Sequence, residues 1–202
     1  MHRIEFRPRH GWDRLFNLTL SERSRVLPRL AAIAFAFAGM IQAGTAAEIC
    51  HTMPGGQFGE ARMCATSALP PQTGNTYGPE HLMGTGSDGA WCEGVTGPGI
   101  GQSLTLHLKP PGHFRTITLT NGYAKSDETF RRNGRVKRAL LETSRGFKKT
   151  VAVKDSRQDQ KFVIPKTTAA WVRLTILDVY PGTQGSDTCM SWFSVNLEEL
   201  NG

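Results

Sequence analysis

The 202 residues carry 24 Lys and Arg against 17 Asp and Glu, a formal net charge of +7, together with 22 Gly, 11 Pro and 4 Cys. Seven of the cations and three of the acids lie in residues 1–29, so the remainder holds only +3. Basicity of that size gives no ground for a nucleic-acid binder.

Residues 1–47 read as an export signal. An Arg-rich leader precedes the apolar run LAAIAFAFAGMIQAGTAA (30–47), which ends in small residues. This is the order of a cationic region, an apolar core and a cleavage site. Cleavage after Ala47 makes Glu48 the mature N-terminus; the long basic region leaves an uncleaved anchor as the alternative. The apolar core before Gln42 is about 12 residues, short of the roughly 20 a spanning helix needs. Cys50 lacks a preceding lipobox.

Residues 48–80 are rich in Gly, Pro, Thr and Ser, and 48–64 reads as an irregular, disulfide-pinned lead-in. All four cysteines lie behind the leader, and an even count in an exported chain implies two disulfides. Three pairings are open. The favoured one is Cys50–Cys64, closing a local loop, with Cys92–Cys189, tying the ends of the domain together. The second is nominally worth more than about 4 kcal/mol in the chain-entropy model. A zinc site is disfavoured, because the spacings hold no CxxC and no paired His.

From residue 103 the apolar period is two. Leu104, Leu106 and Leu108 alternate with Thr105 and His107, and Ile117 and Leu119 with Thr116, Thr118 and Thr120. Val172, Leu174 and Ile176 alternate with Arg173 and Thr175; Phe193, Val195 and Leu197 alternate with Ser194 and Asn196. Each is a half-buried strand. Shorter strands are expected over 147–153 and 160–164. In 135–144 the alternation slips, and a β-bulge near Lys137–Arg138 restores it. No stretch after the leader predicts an amphipathic helix. Short strands with Gly, Pro and Asn punctuation predict a single all-β domain, an antiparallel sandwich or barrel, and their spacing favours two packed sheets with loops at the two ends.

The chemistry-bearing residues fall in the loops. NGYAKSDETFRRNGRVK (121–137) sets Tyr123, two amides and the cations Lys125, Arg131, Arg132, Arg135 and Lys137 at a strand end, with Arg138 just beyond. Trp91 sits in a Gly-rich loop beside Glu93, where it reads equally as a rim aromatic or as a core plug under the loops, and Tyr180 precedes Pro181-Gly182. Aromatics at loop rims stack on sugar rings while amides and charges take hydroxyls. Trp171 and Trp192 fall in strands and read as packing residues. Catalytic motifs are missing: no HExxH, no GxSxG, and TGPGIGQ (96–102) precedes a strand, so no helix N-terminus awaits a phosphate. Glu93 and Asp187 would approach one another if Cys92 pairs with Cys189. Their expected work is to orient loop backbones and polar ligands rather than acid–base catalysis.

YGPEHL (77–82), GAWCEG (89–94), GIGQSLTLHL (99–108), NGYAKS (121–126), NGRVK (133–137), LDVYPG (177–182) and DTCMS (187–191) occur in an order that resembles the discoidin-like, F5/8 type C-like domain of the translocation region of bacterial NAD glycohydrolases, described as an NADase-type glycan-binding domain. The resemblance covers residues 65–198. It implies a jelly-roll β-sandwich that binds carbohydrate through its end loops without catalysis of its own. One wall would then hold Tyr123, Lys125, Asn133 and Arg135, the other Trp91, Glu93 and Tyr180, with Asp187 beside them. Relatives often place acids for a structural calcium ahead of the Ala-Trp pair. Here Gly84 and Gly86 stand in their place and Asp88 alone remains, so a strong calcium site is not expected and no cofactor is. The function implied is non-catalytic glycan binding by an exported module, periplasmic or secreted; the alternative is an envelope protein–protein interaction module.

Overall fold

The computed structural model describes residues 47–54, 59–83 and 88–198. The expected leader, all but Ala47, lies outside them, as do Gly84 and Gly86. No helix among the described residues is long and apolar enough to cross a membrane.

Eight strands follow one another: β1 (Ile49–Pro54), β2 (Glu60–Ala65), β3 (Trp91–Cys92), β4 (Ser103–Asn121), β5 (Gly134–Thr143), β6 (Lys148–Ala152), β7 (Gln160–Tyr180) and β8 (Thr188–Leu197). The hydrogen-bonded path runs β1-β2-β4-β7-β5-β8-β3, with β6 on β5 and a further β4–β8 pairing. Two strands belong to both layers of the sandwich. The first half of β4 pairs β2 and the second half of β7, whereas its second half pairs the first half of β7 and β8. The first layer is therefore β1-β2-β4-β7-β5-β6 and the second β7-β4-β8-β3. The strands expected over 104–108 and 114–120 are one continuous strand, which changes layer where its register shifts between His107 and Gly112.

Period-two alternation sets the core. Met63, Leu104, Leu106, Leu141, Val172, Leu174 and Ile176 point inward from the first layer, and Ile117, Leu119, Met190 and Phe193 from the second. Each fully buried Leu, Ile or Phe contributes about 1.5–3 kcal/mol relative to exposure. The expected bulge is present: β5 slips against β7 between Val136 and Ala139, on either side of Arg138.

Two expectations are corrected. The lead-in is not irregular, because β1 and β2 form a hairpin joined to the sheet edge, with Cys50 and Cys64 facing each other across it in register. A short helix, α1 (Asp127–Arg132), occupies the basic loop. Ser126 and Thr129 form a reciprocal capping box, with acids in the first turn and arginines in the last. That arrangement satisfies the exposed N–H groups and suits the helix dipole. Both disulfides join the favoured partners, Cys50–Cys64 and Cys92–Cys189.

Candidate functional site

One end of the sandwich gathers the loops after β4, β6 and β7 and around β3, and with them the predicted site residues. Their geometry begins at Asn121, the last residue of β4. Its buried amide donates to the carbonyls of Val136 (2.8 Å) and Lys154 (3.1 Å) and accepts from the Val136 N–H at 2.9 Å. This side chain stitches three chain segments. Gly122 then turns the chain with φ +68°, and a Cβ there would lie 2.6 Å from Arg135 Cγ and 2.7 Å from the Phe130 ring. Only glycine combines that backbone with that clearance.

The turn sends Tyr123 inward. It is 8% exposed, stands edge-on to Tyr77 at 6.4 Å and packs with Ala90 and the Cys92–Cys189 bridge. Its hydroxyl donates to the Asp88 carbonyl at 3.2 Å. Burial, with Tyr77 and Asp88 adding to it, pushes the phenol above its ordinary range. Lys125, two residues on, is exposed.

Asn133 ends α1, its amide donating to the Thr129 carbonyl at 2.8 Å. Arg135 is 9% exposed and fully engaged. Its Nε and Nη2 grip the two carboxylate oxygens of Asp155 at 3.0 and 2.8 Å, while Nη1 donates to the carbonyls of Asn133 (3.0 Å) and Pro181 (2.8 Å). The guanidinium also lies over Phe130 at 5.3 Å and Tyr180 at 6.0 Å. Tyr180 is half-buried, donates to the Val153 carbonyl at 3.2 Å and carries Lys137 at 6.0 Å from its ring.

Trp91 and Glu93 are fully buried. The indole N–H of Trp91 donates to the Ser67 carbonyl at 2.8 Å. Glu93 accepts from the backbone N–H of Thr188 (3.1 Å) on one oxygen and of Val95 (2.9 Å) on the other. Burial raises its pKa above 4.5, the two N–H donors oppose the shift, and the nearby Asp187 charge adds to it. Asp187 is half-buried, its own carboxyl pushed up by burial, and its carbonyl accepts from Gly134 N–H at 2.9 Å.

The structure thus brings the predicted residues to one end of the molecule but corrects the picture of two facing walls. Trp91 offers no open ring face, Glu93 has both oxygens engaged and Arg135 every nitrogen, and Tyr123 points into a small core. Tyr180 stands on the Arg135 side rather than beside Trp91. The reason is physical: loops without regular ladders must find partners for their buried carbonyls and N–H groups, and these side chains supply them.

What this framework holds rigid is the loop 181–187. Thr183 N–H donates to the Arg131 carbonyl (3.0 Å), and the Gln184 and Gly185 N–H groups to Arg132 (3.2 and 2.9 Å). These bonds cap α1. At Gly182 a Cβ would lie 2.3 Å from the Arg132 carbonyl oxygen, so no side chain fits. The outer side of the loop encloses an open cleft of about 370 Å³ lined by Pro98, Val179 and residues 181–186, with Thr183, Gln184 and Ser186 exposed. None of those three was singled out by sequence. Their signal was the segment PGTQGSD, a Gly-rich polar loop between two strands.

A two-layer antiparallel sandwich with strands shared between layers, and polar loops clamped at one end, defines a discoidin-like module of the F5/8 type C kind. The chain belongs to the family described as the NAD glycohydrolase translocation F5/8 type C domain, matched over residues 56–196. No curated protein matches it in sequence. Among solved structures it resembles CpGH89CBM32-5 from Clostridium perfringens, determined with GalNAc-beta-1,3-galactose, at 18% identity and TM-score 0.52, covering 67% of this chain and 94% of that one. It also resembles the family 32 carbohydrate-binding module of C. perfringens NanJ, determined with galactose, at 14% identity and TM-score 0.51, covering 73% and 98%. A third likeness is to the mycobacterial arabinofuranosyltransferase AftD, at 17% identity and TM-score 0.56, covering 77% of this chain but only 11% of that protein. These likenesses show a shared fold.

Proposed function

We propose that the protein is an exported, non-catalytic glycan-binding module whose contact surface is the clamped loop end. The observation that carries the reading is the cleft on the 181–187 loop, a concavity with exposed amide and hydroxyl groups on a backbone fixed by α1 and Arg135. A sugar hydroxyl needs donors and acceptors held in place, and a rigid loop lowers the ordering cost of binding. Gln184 and Ser186 make the contacts, with Thr183 beside them and Pro98 and Val179 as the apolar part of the cleft. Trp91, Glu93, Tyr123, Asn133 and Arg135 act by holding the loops. Acid–base catalysis finds no support, since both oxygens of Glu93 are taken up by backbone N–H groups away from solvent. Two disulfides suit an oxidising compartment outside the cytoplasm. No cofactor enters the reading, so chelation with EDTA leaves binding unchanged.

The test is a glycan array followed by calorimetry on the best neutral ligand. Gln184→Ala with Ser186→Ala lowers affinity about tenfold, the effect of one or two lost hydrogen bonds, at unchanged melting temperature. Undiminished binding in that variant rejects the site. A second reading, a protein-interaction module of the envelope, draws on an apolar cleft of about 190 Å³ lined by Met53, Ala61, Leu82, Met83, Trp192, Leu197 and their neighbours. Silence across the array together with a stable protein complex would favour it.

A further inference from the structure

The outer face of the first layer carries groups that the loop end does not use. Register sets a row across three strands, with Arg62 of β2 opposite His107 of β4, and His107 opposite Trp171 of β7. Alternation turns all three away from the core, since Met63, Leu106 and Val172 beside them point inward. In the next row Glu60 stands opposite Lys109. On the other side Arg173 reaches over the Trp171 ring at 5.3 Å, its Nε donating to Thr105 at 3.0 Å. Trp171 is half-buried and stands apart from the hydrophobic core, which corrects the expectation of a packing residue.

Arg62, His107, Lys109, Trp171 and Glu60 share one cavity of about 270 Å³, completed by Leu108 and Ala170. Two of its features call for a partner. Nε2 of His107 is buried and has no hydrogen-bond partner among the described residues; buried polar atoms are nearly always paired. Arg62 and Lys109 are exposed, and neither belongs to an ion pair among the described residues. Burial, reinforced by Arg62 and Arg173 and opposed by Glu48, holds His107 below its ordinary range. The ring is neutral near pH 7 and offers a single donor or acceptor rather than a charge.

We infer that this face is a second binding site, for an acidic sugar residue bearing a carboxylate or a sulfate. Guanidinium and ammonium take the anionic group, since Arg suits the planar geometry of a carboxylate and Lys adds a point charge. The indole covers the apolar face of a pyranose. The Glu60 carboxylate takes a hydroxyl, and His107 Nε2, covered in the free protein, takes another when the exposed Arg62 side chain moves onto the anion. Glu60, which lines the cavity, and Glu48, close enough to act on His107, also set the selectivity: acids among the cations repel a polyanion such as nucleic acid, while Glu60 accepts a hydroxyl beside a single charge. The cavity volume suits one ring. The site is independent of the loop-end cleft and stands whether or not that cleft binds glycan.

Calorimetry on the full chain tests it, with a trigalacturonate, a sulfated disaccharide, a neutral galactose oligosaccharide and sodium sulfate as separate titrants. Measured in the Gln184→Ala/Ser186→Ala background, which weakens the loop-end cleft, at least one acidic saccharide binds ten times or more tighter than the neutral one, and more weakly as salt rises. Arg62→Ala with Lys109→Ala abolishes that preference, Trp171→Ala weakens binding about tenfold, and Trp171→Phe, a milder change on the same strand, retains most of it. The Gln184 and Ser186 variants leave it untouched. The two acidic titrants decide which anion is preferred. Equal binding of acidic and neutral sugars, an undisturbed preference in the charge variant, sodium sulfate binding as tightly as the sulfated sugar, or no binding of either acidic saccharide would each overturn the inference.

Discussion

The loop end and the outer face of the first layer use the same kinds of residue in opposite ways. At the loop end, Arg135 makes four hydrogen bonds and lies over two rings, Asn121 makes three, and Glu93 has both oxygens occupied. On the outer face, among the described residues, Arg62 and Lys109 stand free of ion pairs and His107 keeps a buried nitrogen without a partner. Asn121 at the end of β4 and Arg135 at the start of β5 reach loop backbone that has no ladder and needs partners. Arg62, His107 and Lys109 stand among paired strands whose backbone the ladder already satisfies, so their side chains are free for other work.

Removing the covalent ties tests the contrast most severely, because each region has one. Cys92–Cys189 closes a separation of 97 residues under the loop end, and Cys50–Cys64 one of 14 at the outer face. In the chain-entropy model these are worth about 4.7 and about 3 kcal/mol. Paired Ala substitutions should lower stability in that order in denaturant titrations. An equal or reversed order would mean that the loop end is not the more constrained region.

Arg135→Met comes next. It leaves the carbonyls of Asn133 and Pro181 and the carboxylate of Asp155 without their donor. Losing one partner of a largely buried pair costs about 3–5 kcal/mol; the half-exposed Asp155 places this variant at the low end, about 3 kcal/mol. The matching change on the other face, Arg62→Met, should stay within about 0.5 kcal/mol, as surface changes do. Similar losses in the two melting curves would erase the distinction between a structural and a free arginine.

Much of this organisation is legible in the sequence, and the part that is not has a definite cause. Period two locates the strands, and the slipped alternation over 135–144 locates the bulge, because burial of one sheet face fixes parity. Motif order brings Glu93, Tyr123, Asn133, Arg135, Tyr180 and Asp187 to one end. Parity stops where a strand stops, so nothing in NGYAKS says that Tyr123 turns inward; that depends on the φ of Gly122 and on Tyr77, which arrives from a distant segment. The β1–β2 hairpin is hidden because ICHTMP alternates poorly, EARMCA is short and weakly apolar, and one outward position in each is a disulfide cysteine. Trp171 was legible but misjudged: with Val172, Leu174 and Ile176 inward, parity already placed it outside with Arg173.

Glu93 gives a smaller effect with a sign that can be worked out. Its native pKa is raised above 4.5 by burial, so the folded state holds its proton to higher pH than the unfolded chain does. Stability from this group is therefore present at low pH, falls as pH rises from about 4.5 through the raised native value, and is flat above it. Asp187 contributes in the same direction. Glu93→Gln should remove much of that slope. It should also cost about 1–3 kcal/mol at acidic pH, because an amide NH₂ must then face a backbone N–H. A stability profile that climbs from pH 5 to 7 and is unaltered by the substitution would contradict the burial of this carboxyl as the cause.

The smallest expected change is the most discriminating, because its direction differs between the two regions. Replacing a hydrogen-bonded polar side chain at the loop end orphans its partners and must destabilise. His107→Leu on the outer face orphans nothing among the described residues, since Nε2 has no partner there to lose, and it exchanges a buried unsatisfied nitrogen for apolar volume. The variant should be neutral or more stable by up to about 1 kcal/mol, measurable as a rise of a few degrees in melting temperature, while its affinity for acidic saccharide falls. A residue that lowers stability in the free protein and raises affinity in the complex has the signature of a binding group. If His107→Leu instead destabilises the protein as the loop-end substitutions do, His107 is structural, and the two regions differ in position but not in kind.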